Sequence, residues 1–210
     1  MAEHAIWAWL LTAAAGYLLG SVSGAIVASF TRHNEDIRRF GSGNAGLTNA
    51  LRTYGVRNAA MVAGIDLGKT VLAVLFGLWL LGRPWGLILG GGAAVLGHVF
   101  PLYYRFRGGK GILCGAALLL MLDWRVFLIT AAVFAAAVAV SKTVSVGSVL
   151  ACAAAPILCV LLREGKAETV FITLTAALLL WMHRENLRRI ERGEEKPTVA
   201  AKRRPRRRQP

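Results

Sequence analysis

Seven long apolar runs dominate this sequence and restrict what it can fold into. A helix needs about 20 apolar residues to cross the roughly 30 Å core of a bilayer, and few soluble domains carry so many such runs. Hydrophobic residues make up 56% of the 210 residues. We therefore predict an all-α, polytopic membrane protein with about seven transmembrane helices. The runs are 5–30, 58–82, 85–104, 112–122, 126–140, 149–162 and 167–183.

The fourth and fifth runs are separated by Asp123-Trp124-Arg125. A single helix over 112–140 is the alternative, but it would place two charges in the middle of the membrane, where they are costly. We therefore predict two short helices with a turn at 123–125.

Small residues recur along the first run, which we expect to be a single helix. They predict close packing against a neighbouring helix. The alternative is that Ser21 and Ser23 line a polar pocket. These residues are Gly16, Gly20, Ser21, Ser23 and Gly24.

The distribution of basic residues predicts the orientation. The chain has 25 Lys and Arg residues, and 20 of them fall in one alternating set of connectors: 31–57, 105–111, 141–147 and 184–210. The other connectors carry four. Because basic connectors stay in the cytoplasm, we predict an external N-terminus and a cytoplasmic C-terminus. The expected domains are one membrane domain, 1–197, and a basic, disordered tail, 198–210.

The stretch 41–52 looks suited to anions. Its glycines allow positive φ and close approach to a ligand, successive backbone N–H groups can form an anion-binding nest, and its arginine offers a forked cation. The alternative is a flexible polar loop between two helices. Its polar residues are Ser42, Asn44, Thr48, Asn49 and Arg52.

A second glycine-rich loop, 105–111, contains Lys110 between glycines. The GxxxxGK[ST] spacing of a Walker A motif is missing and no strand precedes it. Lys110 is still well placed to meet an anion, although a basic connector at the membrane surface would have the same composition.

Three ionisable residues lie within the second and third apolar runs. Asp66 and Lys69 are three apart, so they are neighbours on one helix face; they form either a structural ion pair or part of a site. We expect His98 to donate a hydrogen bond to a neighbouring carbonyl.

With this orientation, the polar clusters all fall on the cytoplasmic side: 41–52, Lys110, the connector 141–148, and His183 with Asn186. They combine cations, glycines and neutral donors without a carboxylate cage or a Cys/His set. Such a group suits a phosphorylated substrate and neither a metal ion nor a cofactor. The cysteines, Cys114, Cys152 and Cys159, lie in apolar surroundings without the spacing of a disulfide framework.

Taken together, these stretches resemble the bacterial membrane glycerol-3-phosphate acyltransferases that use acyl-phosphate donors (the PlsY type). The resemblance covers residues 15–197. It is carried by Gly41-Ser42-Gly43-Asn44 with Thr48-Asn49 and Arg52, Gly97-His98 with Phe100-Pro101, Gly108-Gly109-Lys110-Gly111, Ser145-Val146-Gly147-Ser148, and His183-Arg184-Glu185-Asn186 with Gly193 and Glu195.

The resemblance implies transfer of a fatty acyl group from acyl phosphate to the 1-hydroxyl of glycerol-3-phosphate. Its products would be lysophosphatidic acid and phosphate, formed in phospholipid biosynthesis. It also implies seven spans in a bacterial inner or plasma membrane, with an active site that faces the cytoplasm. The implied partners are the two substrates and membrane lipids, with no cofactor and no nucleic acid; the oligomeric state is left open.

On this basis the residues expected at the reacting groups are Lys110, Ser145 and His183. Those expected to bind substrate or phosphate are Ser42, Gly43, Asn44, Asn49, Arg52, Gly108, Gly109, Gly111, Ser148 and Asn186. Either His183 or the phosphate of the substrate could take the hydroxyl proton. Cys114 has no base evident in the sequence, so we do not expect it to be a nucleophile.

Three positions depart from the family pattern. Leu113-Cys114 stand where Ala-Thr is usual, Thr70 follows Lys69 where Gly is usual, and Val22-Ser23-Gly24 replace a common Ile-Pro-Phe. The first two touch the expected pocket and could change the donor or the acceptor.

Two other functions fit parts of the sequence. A transporter of an anionic or phosphorylated solute would also need the basic cluster and the pair of Asp66 and Lys69, but no inverted repeat is apparent. The tail could bind nucleic acid, but it lacks interleaved aromatic residues. We expect it to be an auxiliary anchor on anionic lipid.

Overall fold

The computed structural model describes residues 5–195, and this part of the chain contains helices and no strand. The predicted all-α fold is confirmed. The predicted tail, 198–210, lies outside the described residues. The helices are α1 (Ile6–Ser21), α2 (Gly24–His33), α3 (Leu47–Tyr54), α4 (Val56–Leu81), α5 (Trp85–Val99), α6 (Ile112–Leu122), α7 (Trp124–Ser141), α8 (Val144–Leu161), α9 (Lys166–Met182) and α10 (Arg184–Glu191), with short 3₁₀ helices at Ile37–Arg39 and Leu102–Tyr104.

Each of the seven apolar runs is helical. Four segments of the described chain are long and apolar enough to cross a membrane: α4, Trp85–Tyr104, α7 and α8. The bent pair of α1 and α2 provides a fifth. By contrast, α6 has 11 residues and is only about 16 Å long at 1.5 Å per residue. Seven crossings and their orientation therefore remain predictions.

The turn between α6 and α7 is confirmed. Asp123 lies between the two helices, and its carboxylate accepts a hydrogen bond of 2.6 Å from the backbone N–H of Arg125. Asp123 is thus the N-terminal cap of α7, and its carboxylate satisfies a backbone N–H group of the first turn.

We predicted a single helix for the first run, but the structure has two helices there. Val22 and Ser23 have extended backbone conformations, and α1 and α2 differ in direction by 41°. The serine hydroxyls accept hydrogen bonds from backbone N–H groups: Ser23 from Ile26 at 3.4 Å and Ser21 from Leu102 at 3.2 Å. These bonds satisfy backbone groups at helix and loop ends.

Two predicted connectors are partly helical. The 31–57 connector contains the end of α2 and all of α3, so Arg52 lies on a helix. In the 141–148 connector, α8 already begins at Val144, so Ser145 and Ser148 lie in its first turns.

The small residues of α1 pack closely against α5, as predicted. A Cβ atom on Gly16 would lie 2.7 Å from the carbonyl oxygen of Gly90, and one on Gly20 would lie 2.6 Å from the Cα atom of Ala94. Neither position has room for a side chain. The two helix backbones are therefore in near contact over this stretch.

Two apolar clusters fix the elements that carry the polar residues. The larger one joins α4, α5 and α6 to α8 and α9 and includes Leu87, Leu118 and Leu179. In the smaller one, α2, the following loop and α3 pack against α4. It is formed by buried Ala25, Ile26, Ala28, Ile37, Ala45, Ala50 and Val62. The loop before α3 is thus anchored by its own buried side chains.

Candidate active site

A cavity of about 730 Å³ lies among α3, α6, α7, α8, α9 and α10. One end, which we call the polar end, collects side chains from all the predicted cytoplasmic clusters. The other, which we call the apolar chamber, lies between α6, α7, α8 and α9. The polar end includes Ser42, Asn44, Arg52, Lys110, Ser145, Ser148, His183, Asn186, Arg189 and Glu195.

The first loop, residues 40–46, is organised by the side chain of Asn49. Its Oδ1 atom accepts a hydrogen bond of 3.0 Å from the N–H of Ser42. Its Nδ2 atom donates to the carbonyl oxygens of Phe40 and Asn44, both at 3.0 Å. Asn49 is only 1% exposed. Its amide is thus occupied in shaping the loop, which differs from the direct phosphate contact that we predicted.

Two N–H groups of the predicted anion-binding nest donate to oxygens within the protein. The N–H of Ser42 donates to Asn49, and the N–H of Gly43 donates to the carbonyl oxygen of Phe40 at 3.0 Å. Neither N–H group is directed at the cavity in this conformation. Gly43 has a φ of +72°, so it allows the turn that presents the side chains of Ser42 and Asn44 to the cavity.

The second loop, residues 105–111, places Lys110 through close contacts made by two of its glycines. A Cβ atom on Gly108 would lie 2.6 Å from Cδ of Pro101, and one on Gly109 would lie 2.7 Å from the carbonyl oxygen of Ala45. Lys110 and Gly111 line the cavity. Gly108 and Gly109 are not among the residues that line the cavity and instead pack against Pro101 and Ala45.

Lys110 is joined to α8 and α10 by hydrogen bonds. Its Nζ atom contacts Oδ1 of Asn186. The Nδ2 atom of Asn186 donates to Oγ of Ser145 at 2.7 Å. Three residues that the sequence separates by up to 76 positions therefore meet at one point.

A carboxylate completes this network. Oε1 of Glu195 accepts hydrogen bonds from Ser145 at 2.5 Å and Asn186 at 2.9 Å, and Oε2 accepts one from Nε of Arg189 at 2.8 Å. The Glu195 side chain is 7% exposed. From the sequence we predicted Glu195 only as part of a motif and assigned no role to Arg189. Glu195 is one of four glutamates in the basic segment 184–196, so its local sequence gave no signal that distinguished it.

The ionisable groups of the polar end affect one another. Burial lowers the pKa of Lys110 to about 8, with a further contribution from the positive charge of Arg189. Burial also lowers the pKa of Arg52. Burial alone would raise the pKa of Glu195, but the hydrogen bonds it accepts hold that pKa below its usual value. The polar end thus combines the cationic side chains of Arg52, Lys110 and Arg189 with the carboxylate of Glu195.

His183 lies between α9 and α10, is 4% exposed and lines the cavity. Its Nδ1 atom lies 2.8 Å from the carbonyl oxygen of Leu179. A carbonyl oxygen can only accept, so Nδ1 carries a hydrogen and Nε2 of the neutral ring is an acceptor. Burial lowers the pKa of His183 to about 4. At neutral pH this residue therefore offers a hydrogen-bond acceptor.

Four helices direct their N-termini towards the cavity. The positive end of the helix dipole and the unsatisfied N–H groups of a first turn favour anions. This arrangement was not predicted, because two of these helix starts were interpreted as loop. The first-turn residues that line the cavity are Leu47 and Thr48 of α3, Ile112 and Leu113 of α6, Val144 and Ser145 of α8, and Arg184 and Glu185 of α10.

Asp66, Lys69 and His98 form a buried cluster beside the cavity. Nζ of Lys69 lies 2.9 Å from Oδ1 of Asp66 and 2.8 Å from Nδ1 of His98. The predicted bond from His98 to a carbonyl is thus wrong, because the ring nitrogen is held by Lys69. Asp66 and His98 also line the cavity, so Asp66 is both a member of the ion pair and part of the wall.

Two departures from the family pattern lie near this cluster. Cys114 is fully buried, with Sγ 3.8 Å from the carbonyl oxygen of Asp66. The hydroxyl of Thr70 donates to the same carbonyl at 3.0 Å. Both residues pack behind the cavity wall, whereas Leu113 lines it. A buried thiol in this position is not presented to a substrate.

The apolar chamber extends from the polar end between four helices. Its wall contains a hydroxyl without a described partner: Oγ1 of Thr130 is buried and accepts or donates no hydrogen bond within residues 5–195. The other lining residues are mainly aliphatic and aromatic and include Leu118, Leu119, Phe127, Ala131, Phe134, Ala151, Ala155, Ile172 and Ala176. The chamber is therefore suited to a hydrocarbon chain.

The structure brings most of the predicted site residues together. Ser42, Asn44, Arg52, Lys110, Ser145, His183 and Asn186 all line the polar end. The hydroxyl of Ser148 lines it too but donates to the carbonyl oxygen of Val144 at 3.0 Å. Among residues 5–195, no group of three or more His, Cys, Asp or Glu side chains is arranged to hold a metal ion.

The fold and the cavity define a helical membrane protein with a site for a molecule that is anionic at one end and apolar at the other. Residues 10–193 match the family model described as glycerol-3-phosphate acyltransferase. The chain belongs to this family.

Curated relatives agree over nearly their full length. The chain is 38% identical over 198 residues to a glycerol-3-phosphate acyltransferase of Synechococcus sp. (strain CC9902), covering 92% of this chain and 96% of that protein. It is 40% identical over 187 residues to one of Gloeobacter violaceus, covering 87% and 91% of the two chains.

Two solved structures share the fold. Both are of PlsY (YgiH), an integral membrane glycerol 3-phosphate acyltransferase. The glycerol 3-phosphate form has a TM-score of 0.84 and 29% identity, and the lysophosphatidic acid form has a TM-score of 0.82 and 28% identity. Each comparison covers 90% of this chain and 94% of the other.

Proposed function

We propose that this protein transfers a fatty acyl group from acyl phosphate to the 1-hydroxyl of glycerol-3-phosphate. The observation that carries the proposal is the continuity of the polar end with the apolar chamber. Cations and helix N-termini can hold the phosphates of both substrates, while the chamber can hold the acyl chain. The structures of PlsY with glycerol 3-phosphate and with lysophosphatidic acid support the same substrate and product.

The reaction needs no acyl-enzyme intermediate, because phosphate is already a good leaving group. The 1-hydroxyl oxygen attacks the carbonyl carbon of the acyl phosphate, and the bond from that carbon to the phosphate oxygen breaks. The hydroxyl proton ends on the released phosphate. The products are lysophosphatidic acid and inorganic phosphate, so atoms and charges balance.

The main task of the protein is to hold two mutually repelling anions in a reactive arrangement. We assign Arg52, Lys110 and Arg189 to offset the phosphate charges. The guanidinium groups of the two arginines can contact phosphate oxygens in pairs, whereas the ammonium of Lys110 acts as a point charge. Ser42 and Asn44, at the edge of the first loop, add neutral donors.

The remaining polar residues fit the acceptor and the carbonyl group. His183 offers a neutral Nε2 acceptor, which suits a hydrogen bond from a glycerol hydroxyl and orients that hydroxyl. Ser145 and Asn186 lie beside Lys110. By exchanging their bonds to Glu195 for a ligand oxygen, they can donate to the acyl carbonyl or to a phosphate oxygen. We assign Asn49, Gly108 and Gly109 to the shape of the two loops.

A defined assay tests this function. Purified protein is incubated with glycerol-3-phosphate and either acyl phosphate or acyl-CoA, and lysophosphatidic acid and phosphate are measured. We expect turnover with acyl phosphate, unaffected by a metal chelator, and no comparable turnover with acyl-CoA. Solute uptake into liposomes without product would instead support a transporter.

We also propose a location in the bacterial cell membrane, with seven crossings, an external N-terminus and a cytoplasmic site. Two exposed residues on opposite predicted sides, Arg107 and Lys166, provide matched positions for single cysteines. In intact cells an impermeant thiol reagent should label Lys166→Cys, and it should label Arg107→Cys only after permeabilisation. The reverse pattern would invert the orientation.

A further inference from the structure

The cluster of Asp66, Lys69 and His98 has no part in the reaction as described above. The three side chains are between 1% and 5% exposed, and the carboxylate and the ammonium are 2.9 Å apart. Ionisable groups in the core of a membrane protein are costly and usually have a function. The contacts that the cluster makes with its surroundings indicate what this function is.

On one side the cluster holds the break between α1 and α2. Nζ of Lys69 donates to the carbonyl oxygen of Val22 at 2.6 Å, and Oδ1 of Asp66 accepts from the N–H of Gly24 at 3.1 Å. These are backbone groups at the end of α1 and the start of α2, where no intrahelical partner is available. The two charges of α4 therefore satisfy both sides of the break.

On the other side the cluster supports the second loop. The carbonyl oxygen of His98 accepts a hydrogen bond of 3.2 Å from the N–H of Gly109. The imidazole lies directly against Gly109, since a Cβ atom there would be 2.9 Å from Cε1 of the ring. Lys110 is the next residue, so its backbone is placed by a ring that packs beneath it.

Lys69 fixes the orientation of that ring. Its Nζ atom lies 2.8 Å from Nδ1 of His98. Rotation of the ring would break this contact and would move the surface on which Gly109 rests. Each member of the cluster thus constrains the next, from the α1–α2 break to the second loop.

The geometry points to Asp66, Lys69 and His98 as positioning residues that hold Lys110 at the polar end of the cavity. They act through the backbone of Gly109. The inference rests on the proposed function in one respect: the ligand of Lys110 is taken to be a substrate phosphate.

Two variants test it. Asp66→Asn with Lys69→Met removes both charges together, which avoids leaving one of them buried and unpaired. His98→Leu keeps a side chain of similar volume but removes the ring that meets Lys69. A matched control is Cys159→Ala, which disturbs a fully buried core position in the last turn of α8.

The first measurement does not depend on turnover. Hydrogen exchange of the peptide that spans residues 102–113 is compared with that of a peptide from α9. We expect exchange at 108–111 to become about tenfold faster or more in both test variants, with α9 unchanged. Loss of the constraint should also raise KM for glycerol-3-phosphate about tenfold while kcat changes less, because a misplaced charge weakens substrate binding. The control should show neither effect at a matched loss of thermal stability.

Unchanged exchange and unchanged KM in a folded test variant would overturn the inference. Faster exchange confined to 108–111 supports it even if the wild-type protein makes no lysophosphatidic acid, in which case the proposed function fails separately. Should the double variant not fold, the His98→Leu variant decides between these outcomes by the same two measurements.

Discussion

The Oδ1 atom of Asn49 accepts a hydrogen bond of 3.0 Å from the N–H of Ser42, seven residues earlier in the chain. The first residues of α3 and the preceding loop are thereby held as one unit. The same amide donates to the carbonyl oxygens of Phe40 and Asn44. This side chain therefore supplies the hydrogen bonds that the backbone of a helix or strand would otherwise make.

Asn49→Ala should therefore disorder the first loop. Loss of a buried partner costs about 1–3 kcal/mol for each group left unsatisfied, so both thermal stability and the affinity for substrate should fall. Asn49→Asp should be no better, because its second oxygen would face carbonyl oxygens. The check is KM for both substrates together with the unfolding temperature. Normal kinetics in Asn49→Ala would show that the loop keeps its shape without the amide.

Arg52→Ala should lose most of the acyl transfer while the protein still folds. A hydrogen bond to a charged group contributes about 1.5–3 kcal/mol, which corresponds to about one to two decades in kcat/KM. Arg52→Lys should recover only part, because the forked geometry is lost. Arg57→Ala is a suitable control, since Arg57 is exposed on the first turn of α4. Equal kinetics in both alanine variants would remove Arg52 from the site.

The activity should fall at alkaline pH because Lys110 loses its charge. Its pKa in the folded protein is lowered to about 8, so the ammonium is present below that pH and is lost above it. The effect belongs in kcat/KM for glycerol-3-phosphate, which reports on the free enzyme. In Lys110→Arg, whatever its absolute activity, this alkaline limb should be absent. An alkaline limb of the same midpoint in that variant would assign the ionisation to another group.

Stability should fall in moderately acidic solution because of His183. The folded protein lowers the pKa of this residue from 6.5 to about 4, so between these values the unfolded state binds more protons. The contribution is complete above pH 6.5 and is lost as the pH falls towards 4. Thermal unfolding between pH 4 and pH 7 should show a smaller acid dependence in His183→Gln than in wild type. Parallel curves would mean that His183 is not the group responsible.

Replacing Thr130 by Val should stabilise the protein or leave its stability unchanged. The hydroxyl of Thr130 is buried in the apolar chamber without a partner within the described chain, and a buried unsatisfied hydroxyl is unfavourable by about 1–3 kcal/mol. Valine has nearly the same shape, so the chamber keeps its volume. A thermal unfolding series in one detergent measures the effect. A clear loss of stability would indicate a hydrogen bond that the hydroxyl makes in solution.

Much of the site could be predicted because its residues have strong individual preferences. Glycines cluster in the stretches 41–52 and 105–111, and 20 of the 25 Lys and Arg residues fall in one alternating set of connectors. The convergence of Lys110, Ser145 and Asn186 followed from that one-sided distribution. The structure places their side chains in hydrogen-bond contact, although they come from three separate segments.

Local sequence could not show the short helix α3 or the early start of α8. A helix of eight residues is not stable by itself, and α3 forms because Ala50 packs with Ile26 and Val62 in the smaller apolar cluster. The part played by Glu195 was missed for a related reason. Its contact with Ser145 joins residues 50 positions apart, and no periodic pattern records such a pair.

The break between α1 and α2 also affects how the protein is made. The carbonyl oxygen of Val22 and the N–H of Gly24 find their partners on α4, more than 40 residues further along the chain. In hydrocarbon, a backbone group without a partner costs several kcal/mol. During synthesis the first segment therefore reaches its bent form only after Asp66 and Lys69 have entered the membrane beside it. Until then a straight helix, or a position at the bilayer surface, is the less costly arrangement.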